Sequence, residues 1–501
     1  MRKIAIFIPL IALLVLMTTT QLLTGANVAT SEQVDTEEIR RQAEELFNAR
    51  QFNQAEALYE QVLAAEPNDY PGLEAIRQLA IIYIDTDKLE QTEKMIEKMS
   101  ADFGTNSAYP FSLCWVARKY NETGHTERAF ELFQYLCENF PDDKFGMWSQ
   151  VEVTYYYIRN GNEEAADESV QRLVTVFTAQ ETLPVEIYQV AYEYHNAGKE
   201  EKALELHQYN VDHFPEHINA MWSQREIAYY HIRNSDDEAA NEAFDTLTKI
   251  FSDQDTLPKE IYQVGMAYRD AGNVSRAFEI HAYNVGNYIN YDSEYVMLSQ
   301  MEIVCAYVIR EEDDNADTAF ENLLTLFSDK PELPKAILSV GHATWTQALV
   351  RQNSAEPGRG SGPGEAPDEH ALDYFSKALD KFELIINSYG SSDAAAEAYY
   401  MAAECYRKFD QPLKAVEYFE QIVAKWPDYE RAETTLVKIA RTYKNLARSG
   451  AIETTDADFL TRDAYERLAK NYPDSKWAKE AQEWLSHIEQ LRDQLRERGI
   501  R

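Results

Sequence analysis

Between Pro110 and Pro141 the apolar positions fall at helical spacing and change face once. Leu113, Val116, Ala117 and Tyr120 share one stripe, and Asn121-Glu122-Thr123-Gly124 breaks it. Ala129, Phe133 and Leu136 form a second stripe, closed by Phe140-Pro141. Steps of three and four residues are those of an amphipathic helix, so the stretch predicts two helices joined by a short polar turn. The pattern returns down the chain. Met-Trp-Ser-Gln at Met147 to Gln150 recurs at Met221 to Gln224, and as Met-Leu-Ser-Gln at Met297 to Gln300. Pro110, Pro184, Pro258 and Pro334 keep step with it, at intervals of 74, 74 and 76 residues. Such self-similarity marks a stacked-repeat architecture, in which each unit buries its apolar face against its neighbours. The predicted fold is all-α: a right-handed solenoid of antiparallel helix hairpins.

From Tyr120 the steps are 9 residues to Ala129, 4 to Phe133 and 8 to Pro141. This resembles the tetratricopeptide repeat, with its small residue, Tyr, Ala, aromatic and terminal Pro. Ala191, Tyr194, Gly198, Ala203 and Pro215 fit the same register, with His207 at the aromatic position. Gly265, Tyr268, Gly272 and Ala277 fit it too, with His281 as the substitute and Ile289 in place of Pro. Ala403, Tyr406, Ala415, Phe419 and Pro427 repeat it near the C-terminus, and Ala43, Ala55, Tyr59 and Pro67 near the N-terminus. The small residues Ala117, Ala191 and Gly265 are expected to bring the first helix of a hairpin close to the second, opposite Ala129, Ala203 and Ala277. Two C-terminal stretches, Tyr399 to Tyr406 with Ala415 to Phe419 and Trp426-Pro427-Asp428, and Ala464 to Ala469 with Asn471 to Ser475, are similar to bacterial envelope proteins of this kind. Those are the outer-membrane-assembly lipoproteins and the periplasmic companions of the Tol–Pal system. The chain has no cysteine near its N-terminal apolar run to carry a lipid, which departs from the lipoproteins.

Four segments follow from this reading. Residues 1–29 open with Arg2-Lys3, run apolar from Ile4 to Met17 and leave through small residues, as a signal peptide or an N-terminal membrane anchor does. Residues 36–350 form the N-terminal and central superhelix. Residues 351–370 contain a Gly/Pro-rich run from Glu356 to Gly364 and read as a flexible loop inside one hairpin. Residues 371–501 form a C-terminal lobe with a capping helix. The expected location is exported, periplasmic or extracellular.

Composition narrows the partners. With 85 acidic and 48 basic residues the net charge is −37, a field that repels phosphate backbones and makes nucleic acid a poor partner. Basic proteins, cationic peptides or divalent cations suit it better, while much of the acid serves to keep solvated helix faces soluble. Membrane contact is expected only through a retained N-terminal segment. The four cysteines are too few for a disulfide framework and read as small buried side chains, although Cys114 and Cys137 fall on the two helices of one hairpin.

Chemistry is thin. No metalloprotease helix, nucleophile elbow, phosphate loop or paired Cys-x-x-Cys is present, so neither an enzyme, a cofactor nor a metal site is expected. His207 and His281 sit at packing positions, and the acidic runs Asp236-Asp237-Glu238 and Glu311-Glu312-Asp313-Asp314 lack the alternation and glycine of a calcium loop. The 32 tyrosines and 7 tryptophans are more informative, since they exceed what hairpin packing demands. The resemblance places an inner groove beside the packing positions of each first helix. That register marks Trp148 and Tyr155, then Tyr188, Tyr192 and His195, then Trp222, Arg225 and Tyr229, then Tyr262 and Arg269. Rings interspersed with a few charges suit an extended protein or peptide segment, and alternatively a glycan or cell-wall polymer.

Overall fold

The structure is a computed structural model that describes residues 36–354 and 369–497. The segment 1–29 and residues 355–368 of the Gly/Pro-rich loop lie outside the described residues. Among the described residues there are 23 α-helices and no strand. They belong to two compact units that divide between Leu206 and His207.

The first unit holds α1 (Thr36–Asn48), α2 (Phe52–Ala65), α3 (Tyr70–Asp85), α4 (Leu89–Phe103), α5 (Tyr109–Glu122), α6 (Thr126–Asn139), α7 (Lys144–Arg159), α8 (Glu163–Val176) and α9 (Leu183–Asn196). Helix α10 (Glu200–His213) carries the divide. Within this unit α1 pairs with α2, α3 with α4, α5 with α6 and α7 with α8, while α3, α5, α7 and α9 lie side by side. The positions read as packing sites are the core: Leu113, Val116, Ala117, Tyr120, Ala129, Phe133 and Leu136 are all buried.

The second unit holds α11 (Ile218–Arg233), α12 (Asp237–Ile250), α13 (Leu257–Asp270), α14 (Val274–Tyr288), α15 (Glu294–Arg310), α16 (Asp313–Leu326), α17 (Leu333–Ser354), α18 (Glu369–Ser388), α19 (Ala395–Lys408), α20 (Pro412–Lys425), α21 (Ala432–Arg448), α22 (Thr454–Asn471) and α23 (Lys476–Glu497). Each odd-numbered helix from α11 to α21 again packs on its successor, and α11, α13, α15 and α17 lie side by side. Helices α17 and α18 form one hairpin, as the sequence predicts, although helix extends four residues into the predicted loop, to Ser354. Gly341 admits the ring of Phe382 there, where an added Cβ would meet Phe382 Cε1 at 2.5 Å.

Two devices repeat with the hairpins. The first is the turn between paired helices, which passes through one left-handed residue. Those residues are Arg50, Asp87, Gly124, Gly161, Gly198, Ser235 and Gly272, spaced every 37 positions, and then Glu311, Asp410 and Gly450. This residue ends the first helix and frees the next N–H to bond back, as His125 N–H does to the Tyr120 carbonyl at 2.9 Å. The second device explains the recurring Met-x-Ser-Gln. The Met is core in each copy. The Gln crosses to the partner helix of its own hairpin, donating to the carbonyls of Ser169, Ala243 and Ala319 at 3.2, 2.9 and 2.8 Å. The Ser reaches back to the preceding hairpin, where Ser299 Oγ meets Asn284 Nδ2 at 2.9 Å and His281 Nδ1 at 3.3 Å. Ser223 does the same with Asn210 and His207, both at 3.2 Å. Phe133 and Leu136 hold the matching places one block earlier, and Ser149 Oγ there lies beside the Cys114 thiol without reaching full hydrogen-bond geometry. His207 and His281 are therefore buried, hydrogen-bonded core residues.

Candidate binding face

The ten residues marked by sequence fall on odd-numbered helices, in two groups. Trp148 and Tyr155 stand on α7 and Tyr188, Tyr192 and His195 on α9, in the first unit. Trp222, Arg225 and Tyr229 stand on α11 and Tyr262 and Arg269 on α13, in the second. Because α7 packs beside α9 and α11 beside α13, the residues of each group share a neighbourhood. Tyr192, at 54% exposure, is the open ring of the set, and Arg269 is exposed as well. The other eight are half-buried.

Several of these side chains are engaged with the chain itself. Arg225 Nη1 is bonded to Glu260 and, at 2.8 Å, to Gln263, while its guanidinium lies 5.5 Å from the centre of the Tyr229 ring. The Glu260 side chain is buried, and α11 is tied to α13 by that pair. Arg269 ties α13 to α15 in the same way, through Glu302 at 2.8 Å. Arg159 of α7 reaches Glu193 of α9 at 2.7 Å, and its guanidinium lies 5.2 Å from the Tyr155 ring. His195 Nδ1 pairs with Glu200 at 2.9 Å. Tyr262 packs against Tyr295 and His281, with ring centres 5.7 and 5.5 Å apart. Breaking a buried pair such as Arg225–Glu260 leaves a charge stranded and typically costs about 3–5 kcal/mol, so Arg225 braces the face it occupies.

Carboxylates on this face were not marked by sequence. Burial raises Glu152 of α7 above the usual carboxylate range, against the pull of Arg118 and Arg159. Burial also lifts Glu186 of α9 to about 7, with Trp148 opposing and Glu152 reinforcing the rise. Trp148 Nε1 sits beside that carboxyl without reaching full hydrogen-bond geometry. Neither Glu152 nor Glu186 has a salt bridge among the described residues. The signal for them was present: both fall on first-helix faces next to marked rings, four residues from Trp148 and two from Tyr188. Among the described residues no group of His, Cys, Asp or Glu could hold a metal ion. The four cysteines are unbonded, and three are buried.

The C-terminal hairpin of α19 and α20 shows the packing offsets most plainly. Ala403 and Ala415 are buried where the helices meet, Tyr400 packs on Phe419 with ring centres 5.8 Å apart, and Tyr406 Oη donates to Glu383 at 2.5 Å. Residues 397–429 match the family model described as Tetratricopeptide repeat. The chain carries a tetratricopeptide repeat. The other tetratricopeptide-like hairpins reuse its small-residue and aromatic positions, with His281 lying where Phe419 lies in the matched one. No curated protein matches the chain. Among solved structures, one of Naa15/Naa10 bound to HypK-THB is 12% identical with a TM-score of 0.32, covering 88% of this chain and 64% of that one. The chain thus spans just under two thirds of that neighbour's length. Yeast Tom70 is 14% identical with a TM-score of 0.29, covering 92% and 96%. PilW, a type IV pilus biogenesis factor, is 15% identical with a TM-score of 0.27, covering 51% and 100%.

Proposed function

We propose that the chain is an exported, non-catalytic scaffold that binds basic protein or peptide segments on its first-helix faces, in the assembly of cell-envelope complexes. The observation that carries the reading is the pair of helices α7 and α9. Trp148, Tyr155, Tyr188 and Tyr192 stand there among Glu152 and Glu186, two half-buried carboxyls that have no salt bridge among the described residues. A lysine or arginine from a partner would set a cation beside Glu186, favour its ionised form and lie against aromatic rings. Export rests on the basic head and apolar run of residues 1–29. Among the described residues no helix is long and apolar enough to cross a membrane. A glycan polymer fits less well, because stacking on sugars needs open ring faces and most of these rings are half-covered.

The test is a crosslinking pull-down from solubilised envelope, run beside sedimentation with purified wall polymer. The wild-type chain should retain a specific protein in the first assay and stay in solution in the second. Trp222→Ala combined with Tyr229→Ala, and separately Tyr192→Ala, should weaken that capture while helicity is unchanged. Co-sedimentation with polymer and no captured protein would replace this reading with the glycan one.

A further inference from the structure

The first helices of the first three hairpins line an open pocket of about 340 Å³, away from the rings discussed above. Phe47 of α1, Ile81 of α3, and Phe111 and Trp115 of α5 supply apolar walls. Phe111 and Trp115 meet edge to face, with centres 6.2 Å apart, and Trp115 remains 41% exposed. Two polar side chains of α3 also line it. Arg77 is 8% exposed, lies 4.9 Å from the centre of the Phe111 ring and bonds Glu74 at 3.2 Å through Nη2, while its Nη1 has no protein partner. Gln78 Oε1 is likewise buried and without a partner.

We propose that this cavity seats one aromatic side chain of a bound polypeptide, together with the backbone amide next to it. A site of a few hundred cubic ångströms with apolar walls and few polar groups is the usual form of a small-ligand pocket. Flat aromatic walls favour a flat ring through offset and edge contacts. The polar atoms choose the rest of the occupant. Arg77 Nη1 needs an acceptor and Gln78 Oε1 needs a donor, and a peptide amide offers both from adjacent atoms. A carboxylate would satisfy the arginine but repel Gln78 Oε1, and a cation would meet a buried guanidinium. The remaining charges at the rim are Lys119, which reaches Asp85 at 2.7 Å, and the exposed Glu122, 3.8 Å from the same ammonium. A sugar would find too few polar atoms for its hydroxyls. The choice of a polypeptide rests on the binding function proposed above, but the pocket and its residues do not.

The test uses the whole chain labelled with 5-fluorotryptophan, with the Trp115 signal assigned by its loss in Trp115→Phe. N-acetyl-phenylalaninamide should move that signal saturably, with Kd on the order of 1 mM for so small a probe. N-acetyl-phenylalanine, which carries a carboxylate, and N-acetyl-glycinamide, which lacks the ring, should each bind about tenfold more weakly. Gln78→Leu should abolish the preference for amide over acid, and Arg77→Met should weaken both. Trp115→Ala should lose binding, followed by calorimetry, while its melting temperature stays near wild type. An unmoved Trp115 signal, equal affinity for all three probes, or an unchanged preference in Gln78→Leu would overturn the proposal. Partner capture by the α7 and α9 face is read separately, so failure here leaves that reading standing.

Discussion

Gln224 Nε2 donates to the carbonyl of Ala243 at 2.9 Å, tying α11 to α12 from inside their hairpin. Both residues are dry, so the amide cannot exchange this bond for one to water. Gln224→Leu keeps the volume and strands no charge, and it should lower the free energy of unfolding of its unit by about 1–2 kcal/mol. Urea denaturation followed by circular dichroism should show an earlier midpoint with native helicity below it. A midpoint equal to wild type would show that the recurrent glutamine is kept for another reason.

Gly265 faces the ring of His281, and a Cβ built there would stand 2.6 Å from Cε1. Alanine is ordinarily the better helix residue by about 1 kcal/mol. Here the gain is outweighed, because the ring is enclosed and hydrogen-bonded to Ser299 and cannot retreat. Gly265→Ala should therefore destabilise by about 1–3 kcal/mol, as overpacked cores do. Pairing it with His281→Ala should recover part of that loss, since the cavity then accepts the methyl group. Non-additive unfolding energies in this cycle are the expected result.

The hairpin register was legible because its markers are local. Ala117, Tyr120, Ala129 and Phe133 lie within a single turn-linked pair, and their burial follows from helical spacing alone. His207 and His281 were legible as core for the same reason. The sequence showed that Met-x-Ser-Gln recurs, but its purpose depends on bonds 13 to 19 residues away, between helices whose rotation spacing does not specify. The roles of Arg225 and Arg269 were hidden further, since their carboxylate partners lie 35 and 33 residues on. Small residues at Gly265 were expected to admit Ala277, whereas the structure shows that Gly265 makes room for His281. The cavity around Trp115 collects side chains from three hairpins and leaves no mark on any one of them.

Ser235 occupies the left-handed position that Gly198 and Gly272 hold in the neighbouring turns, with φ of 58°. A Cβ in that conformation crowds the following carbonyl and costs roughly 1 kcal/mol, which glycine avoids. Ser235→Gly should raise the thermal midpoint, with a gain of about 0.5–1 kcal/mol after the extra chain entropy of glycine is charged against it. Gly272→Ser is the mirror experiment and should cost a similar amount. Differential scanning calorimetry of the two variants reads both signs, and shifts of the same sign would contradict the argument.

Two partly or fully desolvated groups should give stability opposite dependences on pH. Burial, helped by Arg269, lowers His281 to about 4, so the unfolded chain takes up this proton near pH 6.5 before the folded one does. Its contribution is complete above that value and is lost as pH falls through the window from 6.5 to 4, by about 3 kcal/mol in full. Glu186 runs the other way. Burial raises it to about 7, so the folded state holds a proton that the unfolded chain releases near 4.5, and stability falls as pH rises between those values. The cost at neutral pH is at most about 3 kcal/mol, reduced because the group is not fully shielded from water. His281→Phe should flatten the acid limb of the profile and Glu186→Gln the limb approaching neutrality. A basic peptide bound beside Glu186 should also flatten the second limb while leaving the first untouched, because its cation would favour the ionised carboxylate. Melting temperatures at pH 4, 5.5 and 7 for wild type, each variant and the peptide complex separate these effects. A second limb that survives in Glu186→Gln would remove the carboxyl from the account.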